Sequence, residues 1–309
     1  MSELHYPKAI QELGNRLDQK VRESQPAPPE TLYHYTSADG LRGIVCSGKL
    51  WATSAYHLND SSEFLYGLQL AQSVLLNLKE ERDSEYGAFF EGLRNSLTIQ
   101  KDFVRFYVVC FCKEGNLLSM WRSYGSRGYC LGIKSAGVAS RCIPFSIFTI
   151  NACDPTISLT QIEYDPSKQE EIIRLLVNES LELYDELVRK DRREIGQLTA
   201  EVAHAILLRL ASFKDPAFRE EQEWRVLKRF AVGLDSKEVL FRTANGVIVP
   251  YVELDVFREQ RKDSKLPLEI IRYGPSAPEL ATEEAIKLLL FSTGYGDVKI
   301  ERSGIPLRA

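Results

Sequence analysis

Apolar positions along the chain alternate between helical and strand spacing. Ile10, Leu13, Leu17 and Val21 recur at helical intervals and predict an amphipathic helix over 5–24. Ser24-Gln-Pro-Ala-Pro-Pro-Glu30 follows as a stiff linker. Thr31-Leu-Tyr-His-Tyr-Thr36 reads as a short aromatic strand. The next helix can be capped by Thr36 or Ser37, shows an apolar face of Leu41, Ile44 and Val45, and ends at Gly48. Strand composition recurs at 50–53, 103–112 and 129–134, with helices over 61–78 and 83–97 and a helical turn over 117–125. Residues 143–164 carry one or two further strands. The spans 167–190 and 193–213 are strongly helical, joined by the charged patch 189–194, and predict an antiparallel helical pair inserted in a β-rich core. Strands over 223–228, 238–241, 247–254 and 268–273, a helix over 282–292 and a strand over 297–301 close the chain. Strands and helices do not alternate regularly, which argues for an α+β fold rather than a doubly wound sheet. The expected organisation is a helix and Pro-rich linker over 1–30 and one domain over 31–309, with the helical insertion at about 167–213.

Composition narrows this picture. The 309 residues are 44% hydrophobic and 27% charged, ordinary for a globular chain. A net charge of -4 excludes a globally basic nucleic-acid-binding surface. No apolar run approaches a membrane span, so no membrane association is expected. Met1 to Tyr6 lacks the basic-then-apolar plan of a secretory signal. The six cysteines sit largely in apolar runs and read as free thiols of a cytoplasmic protein. Cys110 and Cys112 share a strand face, but no second pair completes a zinc site, so no metal is expected.

Chemistry-bearing residues gather in four places. His34 ends a strand that runs into a helix, where a side chain can reach a cleft; a strand histidine satisfied by backbone fits as well. In Leu58-Asn-Asp-Ser-Ser-Glu-Phe64, Asp60 and Glu63 read as a capping box, Asn59 is left over for a ligand, and His57 reads as surface. In Ser119-Met-Trp-Arg-Ser-Tyr-Gly125, Trp121 and Tyr124 share a helical face beside Arg122. That platform suits a planar, phosphorylated ligand, and equally a core tryptophan with a solvated arginine. In Phe218-Arg-Glu-Glu-Gln-Glu-Trp-Arg225, strand spacing puts Glu221 and Glu223 on one face. Two such carboxylates repel, so one must hold its proton more tightly or the pair must meet a cation.

These segments, in order and with the later Gly274-Pro275, resemble a bacterial family, domain-of-unknown-function family 2971, over about 31–275. The layout also resembles the ADP-ribosyltransferase fold. That resemblance implies a split β-sheet core with signature residues on successive strands: His34, then Tyr124 or a nearby aromatic, then Glu223. The Glu221-x-Glu223 pair is similar to the double-glutamate motif of transferases that modify arginine. The implied activity is NAD-dependent ADP-ribosylation of an unknown protein or nucleic-acid acceptor, as in a toxin or anti-phage effector. NAD hydrolysis, or a non-catalytic nucleotide- or protein-binding module, are the alternatives. On this resemblance Glu223 stabilises the ribosyl cation, Glu221 serves the acceptor, and His34 bonds a ribose hydroxyl. Tyr35, Thr36, Asn59, Trp121, Arg122 and Tyr124 complete the NAD pocket, with Arg122 on the pyrophosphate.

Overall fold

The computed structural model describes residues 8–23, 25–58, 63–82, 84–123, 127–136, 157–190, 194–231, 237–244, 246–256 and 265–306. Its helices are α1 (Lys8–Glu23), α2 (Ala38–Ser47), α3 (Glu63–Glu80), α4 (Gly87–Phe103), α5 (Leu118–Ser123), α6 (Pro166–Lys190), α7 (Ile195–Leu210) and α8 (Glu279–Thr293). Its strands are β1 (Thr31–Thr36), β2 (Leu50–Ser54), β3 (Val104–Cys112), β4 (Tyr129–Lys134), β5 (Ile157–Gln161), β6 (Glu223–Ala231), β7 (Leu240–Ala244), β8 (Val247–Leu254), β9 (Leu268–Tyr273) and β10 (Lys299–Arg302). The fold is mixed α+β, and these strands form one sheet in the order β10-β9-β4-β1-β3-β2-β8-β7, with β6 also on β3 and β5 on β6.

Local chemistry sets several boundaries. The Ser37 hydroxyl accepts from the Gly40 N–H and starts α2. Gly48 ends it at φ 66°, the left-handed conformation a glycine adopts without a Cβ penalty. Inside α2, Gly43 lies against the Trp51 ring, and a Cβ there would stand 2.0 Å from Trp51 Cζ2. Alanine is the better helix former by about 1 kcal/mol. Even so, Gly43→Ala should lower stability by about 1–3 kcal/mol, because the indole must shift. A urea midpoint that stays or rises would show the contact is loose.

β3 organises the sheet. β6 pairs with it along its whole length, from Val104↔Ala231 to Cys112↔Glu223. The other edge is therefore shared: β1 meets it at Tyr33↔Cys112, and β2 meets it at Thr53↔Val108 and Ser54↔Tyr107. The sheet forks between β1 and β2.

One face of β3 and β6 carries Val104, Phe106, Val108 and Leu227, which pack under α1, α3, α4, α6 and α7. Ile10, Leu13 and Leu17 of α1 are fully buried in that layer. The N-terminal helix is thus part of the core rather than a tail ahead of a linker; its apolar stripe needed a partner, and α6 and α7 supply it. Helices α6 and α7 lie outside the sheet and supply much of the hydrophobic cluster on this face. The opposite face, with Tyr107, Val109, Phe111, Trp224 and Val226, packs on α2 and α8.

Candidate functional site

Beyond the end of the helical layer, the face of β3 and β6 turns polar. The antiparallel register sets Cys112 opposite Glu223 and Cys110 opposite Arg225. Side chains from several segments meet there and line a cavity of about 380 Å³.

Arg225 is 3% exposed. Its Nε donates to Glu223 Oε1 at 2.6 Å, its Nη2 to Glu223 Oε2 at 3.1 Å and to Glu63 Oε2 at 2.5 Å, and its Nη1 to the Ala211 carbonyl at 3.0 Å. Lys214, just past α7, places Nζ 3.0 Å from Glu63, 2.7 Å from Glu221 and 3.0 Å from Glu223. Three carboxylates thus surround two cations. Gln169 fixes the lysine's backbone by donating to the Lys214 and Glu163 carbonyls. The Lys214 ammonium also lies 4.9 Å from the centre of the Phe218 ring.

Glu221 and Glu223 do converge, although not by strand alternation. Glu221 closes the 3₁₀ turn Pro216–Glu221, and β6 begins only at Glu223. Gln222 between them has φ 43°, a left-handed turn rare for a residue with a side chain, and its carbonyl accepts from the Lys113 N–H. Both carboxylates reach one ammonium because the chain bends there.

The environments of the two carboxyls differ. Burial pushes the Glu223 carboxyl up, but Arg225 and Lys214, with a bond from the Cys110 thiol, outweigh it and hold it down to about 2. Arg225 and Lys214 thus hold Glu223 as an anion. Burial raises the Glu221 carboxyl, and Lys214 only partly offsets this while Glu223 and Glu63 add to it. Burial, then the charge of Glu223, pushes the Cys110 thiol well up, and burial leads the rise at Cys112, so neither is a ready thiolate. Burial depresses the Lys214 ammonium, but Glu223, Glu63 and Glu221 together raise it above the usual lysine range.

The upper wall comes from the other arm of the fork. Thr53 of β2, Leu58, His57 and Arg242 of β7 line the cavity with Tyr35, Met120 and Ser123. Arg242 donates to Thr53 Oγ1 at 2.8 Å and lies 5.8 Å and 5.9 Å from the Trp51 and Tyr251 ring centres.

Of the residues expected to form the site, Glu221, Glu223 and Tyr35 line this cavity, whereas His34, Thr36, Trp121 and Arg122 do not. Trp121 is fully buried, its indole donates to Asn116 at 2.9 Å, and its ring meets Tyr35 edge-on; it anchors the core instead of stacking on a ligand. Arg122 points to solvent. Thr36 is buried against α2, where its Oγ1 occupies the space a Cβ on Gly40 would need. Asn59 and Tyr124, with Asp60, lie outside the described residues, as do His5, Cys142 and Cys153.

His34 sits at the fork. Its register partner is Leu131, and its ring meets Phe111 on the face opposite Cys110 and Cys112. Nδ1 stands 2.8 Å from the Cys110 carbonyl oxygen, which requires the proton on Nδ1. Cys110 therefore separates His34 from Glu223: its carbonyl accepts from the imidazole and its thiol donates to the carboxylate. The expected shared lining of His34 and Glu223 is replaced by contact through one residue.

Burial, with the charge of Arg242, lowers His34 to about 4 although the Cys110 bond raises it. Burial and Arg229 lower His204 well below its ordinary value. In the unfolded chain both protonate near 6.5. Their contribution to stability is thus complete above pH 6.5 and is lost as pH falls toward the folded values. For His34 alone that amounts to about 3 kcal/mol by pH 4. Glu221 acts with the opposite sign, since its raised carboxyl binds a proton earlier in the fold. Urea melts should show stability falling from pH 7 to 4.5, and a flat profile would contradict both rings being held neutral in the fold.

Residues 120–226 match the model of a family described as protein of unknown function (DUF2971). This supports the domain-of-unknown-function family over a span shorter than the motifs suggested. The span includes Lys214, Glu221, Glu223 and Arg225, while His34 and Glu63 fall outside it. No curated protein and no solved structure matches the chain. No helix among the described residues is long and apolar enough to cross a membrane.

Proposed function

We propose that the protein is an NAD-dependent ADP-ribosyltransferase acting in the cavity between the arms of the forked sheet. The observation that carries this reading is the convergence of Glu223 and Glu221, one held as an anion and the other holding its proton more tightly, on one cavity. A rigid buried carboxylate is the group a developing ribosyl cation needs, because it does not have to reorganise as charge appears. A carboxyl raised toward neutrality is the better proton acceptor.

In this reading the bond from the ribose anomeric carbon to nicotinamide breaks and its electron pair leaves with the neutral base. Glu223 faces the cation. The acceptor's nucleophile then bonds the anomeric carbon and gives its proton to Glu221. Arg242, rather than the exposed Arg122, supplies the positive charge for the pyrophosphate. His34 holds the fork through Cys110 and acts as a positioning residue. Water in place of the acceptor makes the same site an NAD glycohydrolase.

A second reading, a non-catalytic binding module, is favoured by one fact: both Glu223 oxygens are already engaged by Arg225 and Lys214. Free nicotinamide released on incubation with NAD separates the two. The transferase reading expects release that rises with a suitable protein or nucleic-acid acceptor. A folded protein that releases none with varied acceptors is a binding module.

A further inference from the structure

We infer that α8 is the contact surface of a two-fold symmetric dimer of this chain, two copies crossing antiparallel with the axis between Ala285 and Ile286. The inner face of α8 is committed: Thr282, Ile286 and Leu290 are buried. Its outer face carries large apolar side chains beside charged ones. Leu280 is 87%, Leu288 62% and Phe291 86% exposed. At about 3.6 residues per turn, Leu280, Glu284, Lys287 and Phe291 fall on one stripe with Leu288 beside it.

The stripe is self-complementary. A two-fold axis between 285 and 286 brings Leu280 of one copy onto Phe291 of the other, and Glu284 onto Lys287. Each contact occurs twice, which is the condition for an isologous interface. Both charged contacts join opposite signs, and both apolar contacts join the exposed ends of the stripe. The Phe291 end also borders a groove of about 630 Å³ lined by Leu290, Tyr295, Val298 and Ile300. The same rotation directs the Leu280 of each copy toward the groove of the other. A groove at one end and a projecting leucine at the other, related by the axis, point to a second copy as the occupant.

Sedimentation velocity of the full chain over a concentration series tests this. The expected result is a reversible dimer by about 100 µM, the range of a small, partly polar interface. Phe291→Asp should weaken it about tenfold or more, with an unchanged melting temperature because the residue is exposed. Glu284→Lys and Lys287→Glu should each weaken self-association by setting like charges opposite. An equimolar mixture of the two should dimerise again, as should the chain carrying both changes. A chain monomeric at every concentration overturns the proposal and leaves the stripe to a different protein. A dimer unaffected by Phe291→Asp places the interface elsewhere, and a mixture that fails to recover overturns the axis.

Discussion

Replacing Arg225 with methionine should cost the fold about 3–5 kcal/mol, the usual penalty for removing one partner from a buried charge cluster. Methionine fills much of the volume but supplies none of the four donations the guanidinium makes to Glu223, Glu63 and the Ala211 carbonyl. Lys214 would then face Glu63, Glu221 and Glu223 alone, in a site where Glu223 is 2% and Arg225 3% exposed. Uncompensated carboxylates there cannot recover water without opening the junction of α3, β6 and the segment after α7. The cost comes from the stranded anions rather than from any large intrinsic worth of the pair. Neutralising them as well, with Glu63→Gln and Glu223→Gln beside Arg225→Met, should recover a good part of the loss. Denaturant midpoints of the single and triple variants decide it. A single-variant loss under about 1 kcal/mol would mean that the cluster is effectively solvated.

Parts of this arrangement are legible in the sequence because their causes are local. Ser37 and Gly48 bracket α2 through hydrogen bonds and a backbone angle that neighbouring residues alone determine. The demand of the Glu221–Glu223 pair for a cation follows from Coulomb repulsion, and Arg225 and Lys214 meet it. Which cation answers is not local. Lys214 stands in Ser-Phe-Lys-Asp, a stretch with no pattern of its own, and acquires its role when the chain after α7 returns beside β6. Glu63 has a sufficient local explanation: a carboxylate three residues after Asp60 reads as a cap, yet its two oxygens go to Arg225 and Lys214. Trp121 shows the reverse error. An indole beside an arginine is equally a ligand platform or a core anchor, and only the packing of Tyr35, Met120 and Cys130 around it decides for the core. His34 reads as a strand residue and lies in β1, but which side of a forked sheet it serves depends on where β1 leaves β3.

The last expected result concerns the two glutamates. Glu223→Gln should lower nicotinamide release by about 10²–10³, or ~3–4 kcal/mol of transition-state stabilisation, because the fixed anion is lost. The change also costs stability. The new amide oxygen can still accept from Arg225, but its NH2 group would face either Arg225 or the Lys214 ammonium. Losing one charged hydrogen bond there costs about 1.5–3 kcal/mol, so release must be measured well below the variant's melting temperature and with the folded fraction checked. Glu221→Gln should behave differently. Among the described residues the cation that meets Glu221 is Lys214, and Glu221 lies at the open side of the cluster, with a side chain 21% exposed against 2% for Glu223. Its loss should reduce transfer to an acceptor while hydrolysis of NAD by water persists, since water needs less positioning than a macromolecule. The stability change should be smaller than for Glu223→Gln, because the amide relieves repulsion among three carboxylates. Equal loss of hydrolysis in both variants would merge their roles and remove the division of labour drawn from their environments. Full release by a folded Glu223→Gln protein would remove the catalytic assignment itself and leave the cluster as a structural clamp.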